Sequence, residues 1–389
     1  MSKNITVGID IGTQGIRVAI GELTKGSVWP HIIATGYAPT SGLRFGYIIN
    51  EDEVIKSLKK AIGEAERQSG IRIRKASLSI SSTGLSSEHG TGNAIISKAD
   101  SEVTMLDISK AIDESEQSLS SVNKKILHTI PVKFLLDGKE IYGRPEGMKG
   151  IKLEVKTHFV TCIEQHIKSF IHVVSEAGVE VLDVVASPLA SGAVTLSDQQ
   201  KALGCILIDI GAETVSVGVF ENGVMVSTHV FQIGSNVITS DIALGFRISP
   251  EEAEAIKVGV TPASFSKRKL DEIIEARLTD IFELIDRYLK QLRRSGLLPA
   301  GAILVGGGSQ IPNIEQIARE TLKFHAKIGG LEFFHNSQNK QKDASWMTAI
   351  GLCVVNHDNA YDPSGTSTLP EWWKNLKKQA SNFIRQLLP

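Results

Sequence analysis

Two aspartates in this chain of 389 residues stand at the same place in a repeated pattern. In ITVGIDIGTQGIRVAIGEL a β-branched run ends at Asp10, a short turn follows with Gly12, Thr13, Gln14 and Gly15, and a second β run, IRVAI, returns. Almost two hundred residues later CILIDIGAETVSVGVFENG does the same, with Asp209, Gly211, Ala212, Glu213 and Thr214 in the corresponding places. Two such turns facing each other across a cleft would offer backbone N–H groups to a polyphosphate from both sides. Asp10 and Asp209, each at a strand end, would then be the catalytic pair that holds a hydrated Mg²⁺ against the phosphates, because magnesium keeps several waters and takes only one or two carboxylates. Either aspartate alone reads more simply as the start of a turn.

A third signal tips that balance. AILVGGGSQIPNIEQIARETL places a buried-type strand before Gly306, Gly307, Gly308 and Ser309, then an amphipathic helix with Ile314, Ile317, Ala318 and Leu322 inward. Strand, glycine turn and helix start is a place where backbone approaches a ligand closely. It is not a P-loop, because no GxxxxGK[ST] occurs in the chain.

The elements that must position these groups read as a duplicated α/β chain, each half opening with a hairpin. The length allows two or more domains with sizeable cores, and 42% hydrophobic with 22% charged residues is a globular composition. A net charge of −1 argues against nucleic acid as a partner, since phosphate neutralisation needs a basic surplus. Cys162, Cys205 and Cys353 form no CxxC pair, so a reducing compartment is expected. His158, Cys162 and His166 sit at spacings of four, but KTHFVTC alternates as a strand and the helical pattern begins only after it, so these side chains should diverge. MSKNITVGIDIG does not read as a signal peptide, and no apolar segment reaches the roughly 18–20 residues of a bilayer span. The bulk of the chain is expected to be cytoplasmic.

The last nineteen residues, EWWKNLKKQASNFIRQLLP, are of another kind. On a helix Trp372, Trp373, Leu376, Phe383, Ile384, Leu387 and Leu388 fall within one arc, while Lys374, Lys378 and Arg385 cluster outside it. Tryptophans favour a membrane interface, and each Lys or Arg, Lys377 included, is worth about 1 kcal/mol beside anionic lipid. The polar stretch NHDNAYDPSGTSTLP before it reads as a flexible linker, and Pro370 suits a first helical turn.

Taken together, the turns and the segments KILHTIPVKFLLDG, GMKGIKLEVKTHFVTC and GSNVITSDIALGFRISPEEAEAIKVG resemble the bacterial cell-division FtsA family, within the actin, heat-shock chaperone and sugar kinase superfamily. The resemblance implies an actin-like duplicated two-domain ATPase fold with an inserted 1C subdomain and a C-terminal amphipathic helix. Residues 1–84 and 163–197 would form subdomain 1A, 85–162 the inserted 1C, 198–245 and 300–356 subdomain 2A, and 246–299 subdomain 2B. A linker, 357–370, and the membrane-targeting helix, 371–389, would follow.

The same resemblance implies ATP and Mg²⁺ as cofactors, an adenosine motif at Gly306 to Ser309, and Glu254 and Lys257 near the adenosine. It implies a peripheral protein of the division site that polymerises head to tail with itself on anionic membrane lipids. It would tether the tubulin-like FtsZ through region 2B and recruit later division proteins through 1C. One departure bears on turnover: Ala212 and Glu213 occupy positions that are usually glycine in relatives, and Ser216 stands where an aspartate is often found. A carboxylate near a polyphosphate is repulsive unless it points away or acts through magnesium, so at most weak hydrolysis is expected. The competing readings are a PilM-like pilus-assembly scaffold, which needs no terminal amphipathic helix, and a small-molecule kinase, which needs a general-base aspartate.

Overall fold

The computed structural model describes residues 4–24, 29–97, 100–119, 123–259, 266–331 and 343–357. The tail, with Trp372, Trp373, Leu376, Lys377, Phe383, Ile384, Leu387 and Leu388, lies outside them.

Each half of the chain begins with three β-rich runs, the first two joined by a tight turn, and each folds as an antiparallel meander. The first is β1 (Asn4–Ile11), β2 (Gly15–Leu23) and β3 (His31–Pro39). A small hairpin, β4 (Leu43–Arg44) and β5 (Tyr47–Ile48), precedes helix α1 (Glu51–Ser69). Helix α1 starts because Asn50 caps the amide of Glu53, and it stops where Gly70 turns left-handed at φ 69. Strand β6 (Lys75–Ile80) then joins parallel to β1, and β11 (Glu180–Ala186) joins parallel to β6, which gives the order β11-β6-β1-β2-β3.

The second half repeats this plan. Strands β12 (Cys205–Ile210), β13 (Val215–Glu221) and β14 (Val224–Phe231) make the meander, β15 (Ala302–Val305) lies parallel to β12, and β16 (Ala326–Ile328) lies parallel to β15. The order β14-β13-β12-β15-β16 is that of the first sheet, strand for strand and direction for direction.

The alternation in KASLSISS suggests an edge strand, whereas the structure places β6 in the interior of the first sheet. Both faces of β6 are covered, and Ser77 and Ser79 are buried beside Leu78 and Ile80. Small hydroxyls fit there because they can be hydrogen-bonded where they stand.

Between β6 and β11 comes a separate antiparallel sheet, β7-β10-β8-β9, formed by β7 (Leu85–Ile95), β8 (Lys124–Leu136), β9 (Lys139–Ile141) and β10 (Lys152–Ile163). Helix α2 (Met105–Gln117), started by a Thr104–Asp107 capping box, packs on it through Ile108 and Ala111. His158 and Cys162 lie on β10, and His166 on the following helix α3 (Glu164–Glu176).

The two halves are joined by exchanged helices. Helix α4 (Ser187–Thr195), which follows β11 of the first sheet, packs on β13 of the second, with Gly218 against Pro188. Helix α10 (Met347–His357), which follows the second sheet, packs on β1 and β2 of the first, with Gly8 against the carbonyl of Ala349. One apolar cluster therefore runs through both halves. The outer face of the second sheet is covered by α6 (Asn236–Phe246), α7 (Pro250–Lys257), the long α8 (Lys267–Gln291) and α9 (Ile314–Leu322). A short helix, α5 (Asp198–Leu203), links the halves. The helical spacing of the apolar residues in DEIIEARLTDIFELIDRYLKQLRRSG predicts an inward stripe on α8, and Ile274, Leu278, Ile281, Ile285 and Leu289 of it are buried, while Leu284 faces a surface groove with His229 and Tyr288.

Candidate functional site

Duplicated sheets place duplicated turns opposite each other. In the first turn Gly12 N–H donates to the carbonyl of Gly15 at 3.2 Å, and in the second Gly211 N–H donates to the carbonyl of Thr214 at 2.9 Å. Strand register puts Asp10 opposite Arg17 and Asp209 opposite Ser216. Both aspartates line a cleft of about 300 Å³ between the halves. Gly12, Thr13, Gln14, Gly211, Ala212 and Thr214 line it too, as do Gly306, Gly307 and Gly308.

The base of this cleft resists negative charge. Ser79 Oγ donates to Asp10 Oδ1 at 2.6 Å, and Thr348 Oγ1 donates to Asp209 Oδ2 at 3.4 Å. Burial raises the pKa of Asp10, against the Ser79 hydrogen bond and the Arg17 charge. Burial, and then the charge of Asp10, pushes Asp209 up to about 7, with Thr348 and Arg17 opposing. Each aspartate keeps part of its surface open to the cleft, so a cation arriving from that side meets both. Arg17 lines the cleft as well, with its buried Nε making no hydrogen bond among the described residues. Two carboxylates lifted by burial, Asp209 also by the charge of Asp10, with an unsatisfied guanidinium nitrogen beside them, suit a metal–polyphosphate pair.

Position 306 admits only glycine. Gly306 has φ 85, and a β-carbon there would lie 2.3 Å from Asp209 Oδ1. The run that follows is a short 3₁₀ turn, Gly307–Gln310, and α9 starts only at Ile314. The expected helix start beside the glycines is thus displaced by Ile311, Pro312 and Asn313. The four apolar residues read as inward, Ile314, Ile317, Ala318 and Leu322, are the buried face of α9.

Helix α7 supplies the far wall. Glu254 and Lys257 are one turn apart, with Lys257 Nζ 2.7 Å from Glu254 Oε2 and 2.8 Å from Thr239 Oγ1. Lys257 also donates to the carbonyl of Ser235 at 3.3 Å and is only 6% exposed. A lysine this enclosed is held by three oxygens, which is unlike a solvated helix face.

Three residues of the turns do not line the cleft. Gly15 packs under the ring of Tyr37, Ser309 is buried with its hydroxyl on the carbonyl of Gly306, and Glu213 faces away, accepting the backbone N–H of Phe45 at 2.7 Å. Ser216, noted in the sequence for replacing an aspartate, lines the cleft, and Arg17, Ser79, Gln310 and Thr348 are at or behind it without having been singled out in the sequence. Arg17 was within reach of a hairpin-register argument, because it is the cross-strand neighbour of Asp10. Ser79 and Thr348 come from other elements, and no local signal announces them.

A family model described as "Cell division protein FtsA" matches residues 206–351, and one described as "SHS2 domain inserted in FTSA" matches residues 83–161. The curated "Cell division protein FtsA" of Bacillus subtilis (strain 168) is 30% identical over 375 residues, covering 90% of this chain and 83% of that protein. That of Escherichia coli (strain K12) is 28% identical over 410 residues, covering 96% and 97%. Among solved structures, the PilM-PilN type IV pilus biogenesis complex matches with a TM-score of 0.65 at 16% identity, covering 90% of this chain and 97% of that one. MreB 5 of Spiroplasma citri bound to AMPPNP matches with a TM-score of 0.51 at 12% identity, covering 91% and 96%. At those identities the structures speak to the fold alone, which is actin-like with an inserted SHS2 domain.

Proposed function

Because the chain belongs to the FtsA family of cell-division proteins, we propose that it is an actin-like ATP-binding protein that ties FtsZ filaments to the inner face of the cytoplasmic membrane at the division site. One observation carries the nucleotide half of this reading: two turns of the same hydrogen-bonded form, each preceded by an aspartate, line one cleft together with a third glycine turn. The backbone of residues 12–14 and 211–214 would take the phosphates, Asp10 and Asp209 the magnesium, and Glu254 and Lys257 the adenosine side, with Arg17 adding a positive charge at the base. Bound Mg²⁺ would neutralise the phosphates and the two carboxylates together.

The membrane half rests on the sequence of residues 371–389, an amphipathic stretch with two tryptophans and one-sided cations. Among the described residues no helix is long and apolar enough to cross a bilayer. A reversible interfacial helix gains hold when many copies act together, so head-to-tail polymerisation, which is heterologous and open-ended, belongs to the same proposal. The inserted module would recruit later division proteins, and subdomains would follow the boundaries given above. Among the described residues of the cleft lining the small-molecule kinase reading finds no free general base, since Glu254 is held by Lys257 and Thr239 and the other acidic groups are Asp10 and Asp209, assigned here to the metal.

Vesicle flotation tests the proposal. The full chain with ATP should carry purified FtsZ up with anionic vesicles and lose it at high salt, while a chain ending at Leu369 should leave FtsZ at the bottom. Equal flotation of FtsZ by both chains, or by neither, would overturn it.

A further inference from the structure

Glu213 stands between Ala212 and Thr214, both of which face the cleft, and points the other way. Its carboxylate reaches the opposite half of the molecule and accepts the N–H of Phe45 at 2.7 Å, from a partner 168 residues away. Phe45 and Gly46 are the two central residues of the hairpin between β4 and β5, where Leu43 pairs with Ile48 and Arg44 with Tyr47. Their φ angles are 50 and 76, so the turn is of the left-handed type that suits the twist of a two-residue hairpin. That conformation is costly for a phenylalanine. In such a turn the N–H of the first central residue takes no part in the ladder, and here it is the group that Glu213 captures.

The second residue of the turn, Gly46, forms part of the cleft lining. It is pressed against Ser82, where an added β-carbon would lie 2.7 Å from the Ser82 Cα. Tyr47 is fixed in the same region by the hydroxyl of Thr83 at 2.6 Å, and Thr83 also receives Gln232 Nε2 of the other half at 3.4 Å. The hairpin is therefore tied to its own half through Tyr47 and to the other half through Phe45.

We propose that Glu213 is a positioning residue that acts through the Phe45–Gly46 turn, clasping the two halves of the cleft together before any nucleotide arrives and slowing nucleotide exchange afterwards. The inference rests on the nucleotide-binding reading for its consequence, though not for the clasp itself. Separating the halves at the cleft would break the carboxylate–amide bond, leaving a strained turn without its outward partner. A part-buried, charge-assisted hydrogen bond of this kind should change an opening-limited rate by roughly tenfold or more.

Two measurements on the full chain decide it. In nucleotide-free protein the Phe45 amide should be protected from hydrogen exchange, lose that protection in Glu213→Ala, and keep part of it in Glu213→Gln, whose amide oxygen still accepts. Release of a fluorescent ATP analogue, followed by stopped flow, should be about tenfold faster in Glu213→Ala, with Glu213→Gln in between. An amide that exchanges equally in the parent and Glu213→Ala would overturn the clasp, as would unchanged release from a variant that has lost the protection. If the parent protein binds no nucleotide while the amide is protected, the clasp stands and the reading of the cleft falls.

Discussion

Gly351 of α10 lies directly on Ala190 of α4, so that a β-carbon at position 351 would sit 1.8 Å from the Ala190 carbonyl oxygen. This is where the exchanged helices cross, and the approach of the two halves depends on the missing side chain.

Gly351→Ala should therefore force the helices apart and destabilise the whole molecule, by about 1–3 kcal/mol or more. Urea unfolding should show a lower midpoint. An unchanged midpoint would mean that the crossing yields without cost.

Asp209→Asn should stabilise the metal-free protein at high pH. The carboxyl is pushed up to about 7, chiefly by burial and then by Asp10. Its folded pKa lies above its unfolded value of 3.8, so stability falls as pH rises between the two, where the unfolded state ionises more readily. In chelator, the variant should gain on the parent by about 1–3 kcal/mol between pH 5 and pH 8. The same variant should lose the magnesium dependence of ATP binding. Melting curves at the two pH values, and calorimetry with and without Mg²⁺, check both halves.

His158 should make the protein acid-sensitive. It is fully buried on β10, its Nδ1–H donates to the carbonyl of Met225 at 3.0 Å, and its Nε2 accepts from Ser87. Burial first, and the neighbouring His89 to a lesser extent, push it down to about 3, against the Met225 hydrogen bond. The folded pKa is below the ordinary 6.5, so stability is full above pH 6.5 and falls as the unfolded chain takes up a proton that the folded one refuses. The slope is about 1.4 kcal/mol per pH unit. His158→Gln should remove one proton's worth of that slope between pH 6 and pH 4.5, measured as the difference between the two unfolding curves. Parallel curves would refute the assignment.

Lys257→Met should weaken ATP by roughly tenfold, because it removes a charge from the cleft wall and takes from Glu254 its ion-pair partner, leaving the hydrogen bond from Thr239. Inorganic tripolyphosphate, which has no adenosine, should bind the variant as it binds the parent. Equal losses for both ligands would move Lys257 to the phosphate end.

The two hairpins, the glycine turn after β15, the inward faces of α8 and α9 and the strand-to-helix switch after Cys162 were legible in the sequence. Each is written in local periodicity or in turn residues that the backbone requires wherever it folds this way. The aspartates stood out because duplication set the same residue at the same strand end twice. Chemistry that crosses between elements was not legible. Ser79 reaches Asp10 only because β6 lies beside β1 inside the sheet, and Thr348 reaches Asp209 only because α10 begins beside the cleft. The sequence makes Glu213 a conspicuous charge in a turn beside phosphates, and only the packing of the two halves turns it toward Phe45. Local propensity acts over a few residues, whereas these partners are tens to hundreds of residues apart along the chain and meet only when both sheets and their exchanged helices are in place.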